Sequence, residues 1–233
     1  MAPIEAKHLV REYQMGTQVI RAVDDISFHI EAGSYTIILG ASGAGKSTVL
    51  NLLGGMDSPT SGSLVVGGAD IARFNKRQLT EYRRNQIGFV FQFYNLMPNL
   101  SMLENVELGS QICRDPLDAR AVLDMVGLGE RCGNFPSQCS GGEQQRGAIA
   151  RALAKNPAIL LCDEPTGALD YRTGKAILAL LYELCKKSGK TVIVVTHNSA
   201  LAPTADVLIR MKSGKIESYA ENPSPVPVQD VEW

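Results

Sequence analysis

The sequence predicts an α/β fold, and three observations predict it. Apolar, β-branched runs alternate with helix-like stretches along most of the chain. Two of these runs, Ala158 to Asp163 (AILLCD) and Thr191 to Thr196 (TVIVVT), are almost continuously apolar, as strands of a parallel sheet buried on both faces must be. Between them Ile177, Leu180, Leu181 and Leu184 recur at i, i+3, i+4 and i+7, which is one apolar helix face.

The stretch from Val23 to Leu39 reads as two β segments joined by a turn around Gly33, the second being Tyr35 to Leu39 (YTIIL). A helix follows from Lys46 to Leu53 and breaks at Gly54-Gly55. Pro59 to Gly68 is turn-rich around a short LVV strand, and Ile87 to Phe91 (IGFVF) is the next strand, ending at Gln92. From Ser101 to about Leu153 the pattern is mainly helical. Ser101-x-x-Glu104 and Ser140-x-x-Glu143 have the capping-box spacing. Gly127 is placed to end the helix through Ala119 to Val126. Residues 93–140 are therefore predicted to be a helical subdomain inserted into the α/β core. Val207 to Tyr219 reads as a hairpin turning at Ser213-Gly214. The end, ENPSPVPVQDVEW, holds Pro223, Pro225 and Pro227 and is predicted to be an extended or flexible tail over 221–233, leaving 1–220 as one domain. There is no internal repeat.

Length and composition bound the function. A chain of 233 residues, 45% hydrophobic and 20% charged, suits one domain with an insertion and excludes wholesale disorder. Lys and Arg number 23 against 24 Asp and Glu, so no global basic field argues for nucleic acid as a partner. No run of 18 apolar residues exists, and MAPIEAKHLVREY lacks the apolar stretch of a secretory signal. Any membrane role is thus expected to come through a partner. Cys113, Cys132, Cys139, Cys162 and Cys185 form no C-x-x-C pair and read as free thiols of a reducing cytoplasm.

Gly40-Ala-Ser-Gly-Ala-Gly-Lys-Ser47 matches G-x-x-x-x-G-K-[ST], after a strand and before a helix. Its glycines let the backbone wrap a polyphosphate, with N–H groups and the positive helix end facing the anion. Gly40, Ser42, Gly43, Ala44, Gly45, Lys46, Ser47 and Thr48 are the predicted contacts. Lys46 is expected to bridge the β and γ phosphates and Ser47 to place its hydroxyl on Mg²⁺. Asp163 and Glu164 end the AILLCD strand as adjacent carboxylates. Asp163 is predicted to hold Mg²⁺, and Glu164 to polarise the attacking water as general base, a role usually worth about 10²–10⁴-fold. His197 follows the next buried strand, at the edge where α/β ligands gather, and is expected at the γ-phosphate. Gln92 has a similar placement after IGFVF, where its uncharged amide suits the metal or the water.

Cys139-Ser-Gly-Gly-Glu-Gln-Gln-Arg146 resembles the LSGGQ signature of ABC (ATP-binding cassette) ATPases. Tyr13, the phosphate loop, Gln92, this segment, LLCDEP, Gly167-Ala-Leu-Asp170 and His197 occur in that family's order over about residues 4 to 219. The resemblance implies a P-loop NTPase core with an N-terminal antiparallel β subdomain and the inserted helical subdomain. It implies ATP and Mg²⁺ as cofactors and a second copy of the chain as partner, the nucleotide lying between them. Ser140, Gly141, Gly142 and Glu143 would then serve the ATP of the other copy, and Tyr13 would stack on adenine. Asp170 suits two uses, a helix N-cap and communication between the sites.

RRNQIGFVFQFYNLMPNLSMLENVEL is similar to the macrolide-exporter and lipoprotein-releasing (MacB/LolD-like) branch, whose permeases are FtsX-like. Two uses are open for Phe93, Tyr94, Leu96, Met97 and Leu100: packing inside the helical subdomain, or, as the branch implies, a groove for a permease docking near Phe93–Leu100. The chain departs from the family at Cys139 (usually Leu), Glu143 (usually Gln) and Asn198 (Asp in many relatives of the branch). The implied function is an ATPase subunit powering a bacterial transporter, for export or extrusion of a lipophilic, peptide or lipoprotein-like substrate. The alternative is an FtsE-like ATPase driving mechanical signalling through the same kind of partner. The implied place is the cytoplasmic face of the inner membrane, peripherally held, with the chain soluble when expressed alone.

Overall fold

A computed structural model describes residues 3–232. Met1, Ala2 and Trp233, the ends of the predicted domain and tail, lie outside the described residues. The described residues form two sheets. An antiparallel sheet has the order β2-β1-β4-β5, with β1 Ile4–Met15, β2 Gln18–Ile30, β4 Ser61–Val66 and β5 Ala69–Asp70. A six-stranded sheet has the order β10-β9-β3-β8-β7-β6. Its strands are β3 Tyr35–Leu39, β6 Ile87–Val90, β7 Ile159–Asp163, β8 Thr191–Thr196, β9 Val207–Lys212 and β10 Lys215–Glu221. All its pairings are parallel except the β9–β10 hairpin.

Parallel strands bring their C-terminal ends to one edge. Leu39 pairs with Thr196, Asp163 with Val195 and Val90 with Cys162, so β3, β8, β7 and β6 finish almost level. Alternate residues of these strands enter two separate cores. Ile37, Leu160, Cys162, Val192 and Val194 face the helical layer. Ile38, Ile159, Leu161, Ile193 and Val195 face the antiparallel sheet and helix α1 Lys46–Leu53.

The helical layer holds α3 Met102–Ser110, α4 Ala119–Met125, α5 Gly141–Ala154 and α6 Tyr171–Ser188. The capping boxes at Ser101/Glu104 and Ser140/Glu143 form as the spacing predicts, and Gly127 takes φ +73° just beyond α4. Both α3 and α4 lie against α5, so helical packing continues past residue 140. Asp170 caps α6 by accepting from Thr173 N–H at 3.1 Å. Ile177, Leu181 and Leu184 are buried as expected, while Leu180 is only partly covered.

The structure goes beyond or departs from these expectations at several points. The two β segments of Val23–Leu39 belong to different sheets, and the first begins at Gln18. The strand predicted over Ile87 to Phe91 ends at Val90. Helix α2 Lys76–Asn85 was not anticipated, although Asn75 and Gln78 form a third capping box. Residues 222–232, expected to be extended or flexible, fold back along α6. Asn222 N–H donates to Asp206 O at 2.7 Å, and Val226 N–H to Pro203 O at 2.9 Å. Val228 and Val231 are buried, and Val228 joins the core of the helical layer. The prolines stiffen the segment, which lowers the entropy lost on docking it.

Candidate functional site

The level strand ends carry the site. Gly40 follows β3, His197 follows β8, Asp163 closes β7 with Glu164 next, and Gln92 lies two residues past β6. Residues 40–47 curl from β3 into the first turn of α1, and two glycines there have no substitute. Gly45 has φ +97°, and an added Cβ would stand 2.2 Å from Ala22 O. At Gly40 it would stand 2.4 Å from Met211 O. The β9–β10 turn braces the loop from below, with Gly214 N–H donating to Ala44 O at 3.1 Å.

Lys46 is buried, and its ammonium donates to Gly40 O at 2.7 Å and Ala41 O at 3.0 Å. Ser47 Oγ donates to Asp163 Oδ1 at 3.2 Å. Burial holds the Asp163 carboxyl above the usual carboxylate range; Ser47 and Lys46 oppose that shift, and Glu164 adds to it. Glu164 sits at φ +46°, a conformation uncommon outside glycine, fixed by its N–H donating to Val195 O at 2.9 Å. Its carboxylate Oε1 lies 2.9 Å from His197 Nδ1.

These groups line one open cleft of about 1150 Å³, which includes Ser42 through Thr48, Gln92, Asp163, Glu164 and His197. Gly40 instead lines an adjoining hollow of about 400 Å³, which shares His197. Ala22, Phe91 and Asn95 also line the cleft and were not singled out from sequence. Phe91 and Asn95 were findable as neighbours of Gln92. Ala22 reaches the cleft only through the docking of β2 against the phosphate loop.

Two predicted groups are not brought to this cleft. Tyr13 donates its hydroxyl to Asp57 Oδ2 at 2.7 Å, and the Arg11 guanidinium lies 4.6 Å from its ring centroid. Ser140 to Glu143 form the start of α5. There Glu143 N–H donates to Ser140 Oγ at 3.3 Å, while Glu143 Oε2 accepts from Ser140 N–H at 2.8 Å. Gly142 is buried against Thr173. The apolar segment divides: Leu96 packs on the core, whereas Phe93 is 73% and Met97 47% exposed. Among the described residues no group of three His, Cys, Asp or Glu side chains is arranged to hold a metal, and no helix is long and apolar enough to cross a membrane. All five cysteines are free.

A family model described as "ABC transporter" matches residues 23–167. The chain is 40% identical over 233 residues to a putative ABC transporter ATP-binding protein of Mycoplasma pneumoniae, the MG065 homolog, covering 99% of this chain and 50% of the relative. It is 42% identical over 228 residues to the macrolide export ATP-binding/permease protein MacB of Rhodospirillum rubrum, covering 96% of this chain and 35% of that one. The chain thus spans half or less of the length of these two relatives. Among solved structures, the ATP-binding cassette MJ0796 of Methanocaldococcus jannaschii, a dimer in a post-hydrolysis state bound to ADP and Pi, superposes with a TM-score of 0.85. That match has 41% identity and covers 94% of this chain and 98% of the other.

Proposed function

This chain belongs to the ABC transporter family, in its ATP-binding cassette, and from that premise we propose that it hydrolyses ATP to drive a membrane transporter. Two copies close over two Mg·ATP, and closure moves a membrane-embedded partner at the cytoplasmic face. The observation that carries the hydrolytic part is the Glu164 carboxylate, 2.9 Å from His197 at the cleft that the phosphate loop forms.

The residues divide the work by their chemistry. The loop N–H groups and the positive end of α1 receive the phosphates. Lys46 exchanges the carbonyls of Gly40 and Ala41 for phosphate oxygens. Glu164 takes the proton of the attacking water, and His197 holds that carboxylate in place. Ser47 and Asp163, already in hydrogen-bond contact, offer two hard oxygens. These two residues would hold Mg²⁺ alongside phosphate and water oxygens, and the ion would supply neutralisation of charge on the transferred phosphoryl group. Lys46, Asp163 and Glu164 all line the cleft, so its carboxylates outnumber its ammonium and a divalent cation would offset them.

On this reading Tyr13 would stack on adenine, and Ser140 and Gly142 would meet the γ-phosphate held by the second copy. Phe93 and Met97, exposed beside Gln92, suit a docking groove for an FtsX-like permease. The likeness to a macrolide exporter supports export, or extrusion of a lipophilic, peptide or lipoprotein-like substrate, over import. Glu164→Gln is the test. It is expected to bind ATP, lose about 10²–10⁴-fold in turnover and persist as a dimer on size-exclusion chromatography with ATP. Turnover near wild type would remove Glu164 from the role of base.

A further inference from the structure

We infer that Gln145 is a positioning residue that ties the Gln92 loop and the Glu164 turn to α5, so that this helix sets the spacing of the two groups. The inference rests on the reading of Glu164 as the base. Gln145 lies in the second turn of α5 and is fully buried. Its Nε2 donates to Phe91 O at 3.3 Å and to Pro165 O at 2.9 Å. Phe91 immediately precedes Gln92, and Pro165 immediately follows Glu164. One amide nitrogen therefore bridges the two strand-end segments that carry the reacting side chains.

The other half of the amide carries no bond: Gln145 Oε1 is buried without a partner. A buried acceptor left unpaired is costly, so this carboxamide serves through its donors. An apolar side chain of similar length would remove that cost but leave two carbonyls unserved. Two turns further along α5, Arg151 donates to Tyr94 O at 3.0 Å and to Asn95 O. Residues 91–95 are thus held to one helix at two heights, whereas Glu164 is fixed to the sheet through Val195.

The consequence is mechanical. Ser140 caps α5 five residues before Gln145, a separation of roughly 7.5 Å along a rigid helix. A push at Ser140 from a second copy displaces Gln145 with it, and Gln92 then shifts against Glu164. Closure at one ATP sets the geometry at the other.

The test compares steady-state ATPase activity of Gln145→Leu and Gln145→Glu with wild type from pH 6 to 9, alongside thermal unfolding. Gln145→Leu is expected to lose roughly 10–100-fold in kcat, the scale of a misplacement of about 1 Å, with KM for ATP within about two-fold. In Gln145→Glu a carboxyl buried against carbonyls is protonated at the low end and donates to one of them. Its kcat relative to wild type is expected to fall as pH rises, while the Leu variant stays low throughout. Wild-type kcat in Gln145→Leu, or a Glu variant whose ratio to wild type is flat with pH, would overturn the inference. The pH ratio stands even where the Leu variant fails to fold. Glu164→Gln measured in parallel separates the two readings: turnover there removes the base and says nothing against the Gln145 ties.

Discussion

Gly142→Ala isolates how α5 is seated on α6. A Cβ built at Gly142 stands 2.3 Å from Thr173 Cγ2. Carbon pairs are comfortable at about 3.5–4.0 Å, so the helices must separate by more than about an ångström or Thr173 must turn. Thr173 is β-branched and stiff at χ1, and its N–H is held by Asp170 in the first turn of α6. Overpacking of this kind costs about 1–3 kcal/mol. Alanine's better helix propensity returns at most about 1 kcal/mol, less at the second position of a helix. A net loss of about 1–2 kcal/mol is expected, or roughly 3–6 °C in melting temperature for a chain of this size. Thr173→Ser deletes Cγ2 and leaves the capping N–H, so the double variant should recover at least about 1 kcal/mol relative to additivity. The assay is thermal and denaturant unfolding without nucleotide, because Gly142 is also proposed to meet the nucleotide of the second copy. A Gly142→Ala protein that melts at or above wild type with Thr173 intact would refute the packing argument.

Two other perturbations probe the tail and the Asp163 carboxylate. Val228→Ala removes two buried carbons that pin the C-terminal segment. It should cost about 1.5 kcal/mol and expose residues 222–232 to limited proteolysis; unchanged melting and cleavage would mean the segment is not docked in solution. Asp163→Asn tests the burial of the carboxyl, whose folded-state titration is raised by desolvation. A raised carboxyl contributes stability that is complete below its unfolded value, about 4, and is lost as pH rises through the folded value. The Asn variant has no such loss, so it should melt above wild type at pH 7, with the gap closing as pH falls through the folded value and gone below about 4. A gap independent of pH would show that desolvation of Asp163 is not its cause.

What was legible in the sequence was local. The buried parallel strands announce themselves by apolar runs, and the phosphate loop by its glycines and lysine, because both depend on residues adjacent in the chain. Strand β1 was missed because its alternation changes phase. Ile4 and Ala6 are buried, then Leu9, and the slip lies where the ladder is irregular between Ala6 and Leu9, with His8 at φ +50°. Helix α2 was missed because its interior is polar and buries only Tyr82, although its Asn75-x-x-Gln78 cap was there to read. Gln145 gives no local signal at all. Its partners lie 54 and 20 residues away, and only the fold brings them together.

Glu143 shows how a departure from a family pattern is absorbed. An acidic residue where the resemblance to the ABC signature implies Gln places a negative charge beside a surface proposed to meet a phosphate, which is unfavourable by Coulomb repulsion. The structure engages that charge twice. Glu143 Oε2 accepts from Ser140 N–H and from its hydroxyl, at 2.8 and 2.9 Å, and Oε1 lies 3.1 Å from Arg131 Nε. The Ser140 bonds, with Arg131 adding to them, hold the Glu143 carboxyl below the usual carboxylate range, so the favoured form is the anion. That anion sits at a helix N-terminus, which favours negative charge. Arg131 is half exposed, so its pairing alone contributes little to stability. Its electrostatic role is to cancel the extra charge, leaving the start of α5 as near to neutral as a glutamine would make it. Glu143 and Arg131 thus belong to one arrangement, and removing Arg131 is expected to disturb the anion recognition proposed for Ser140 before it disturbs the helix.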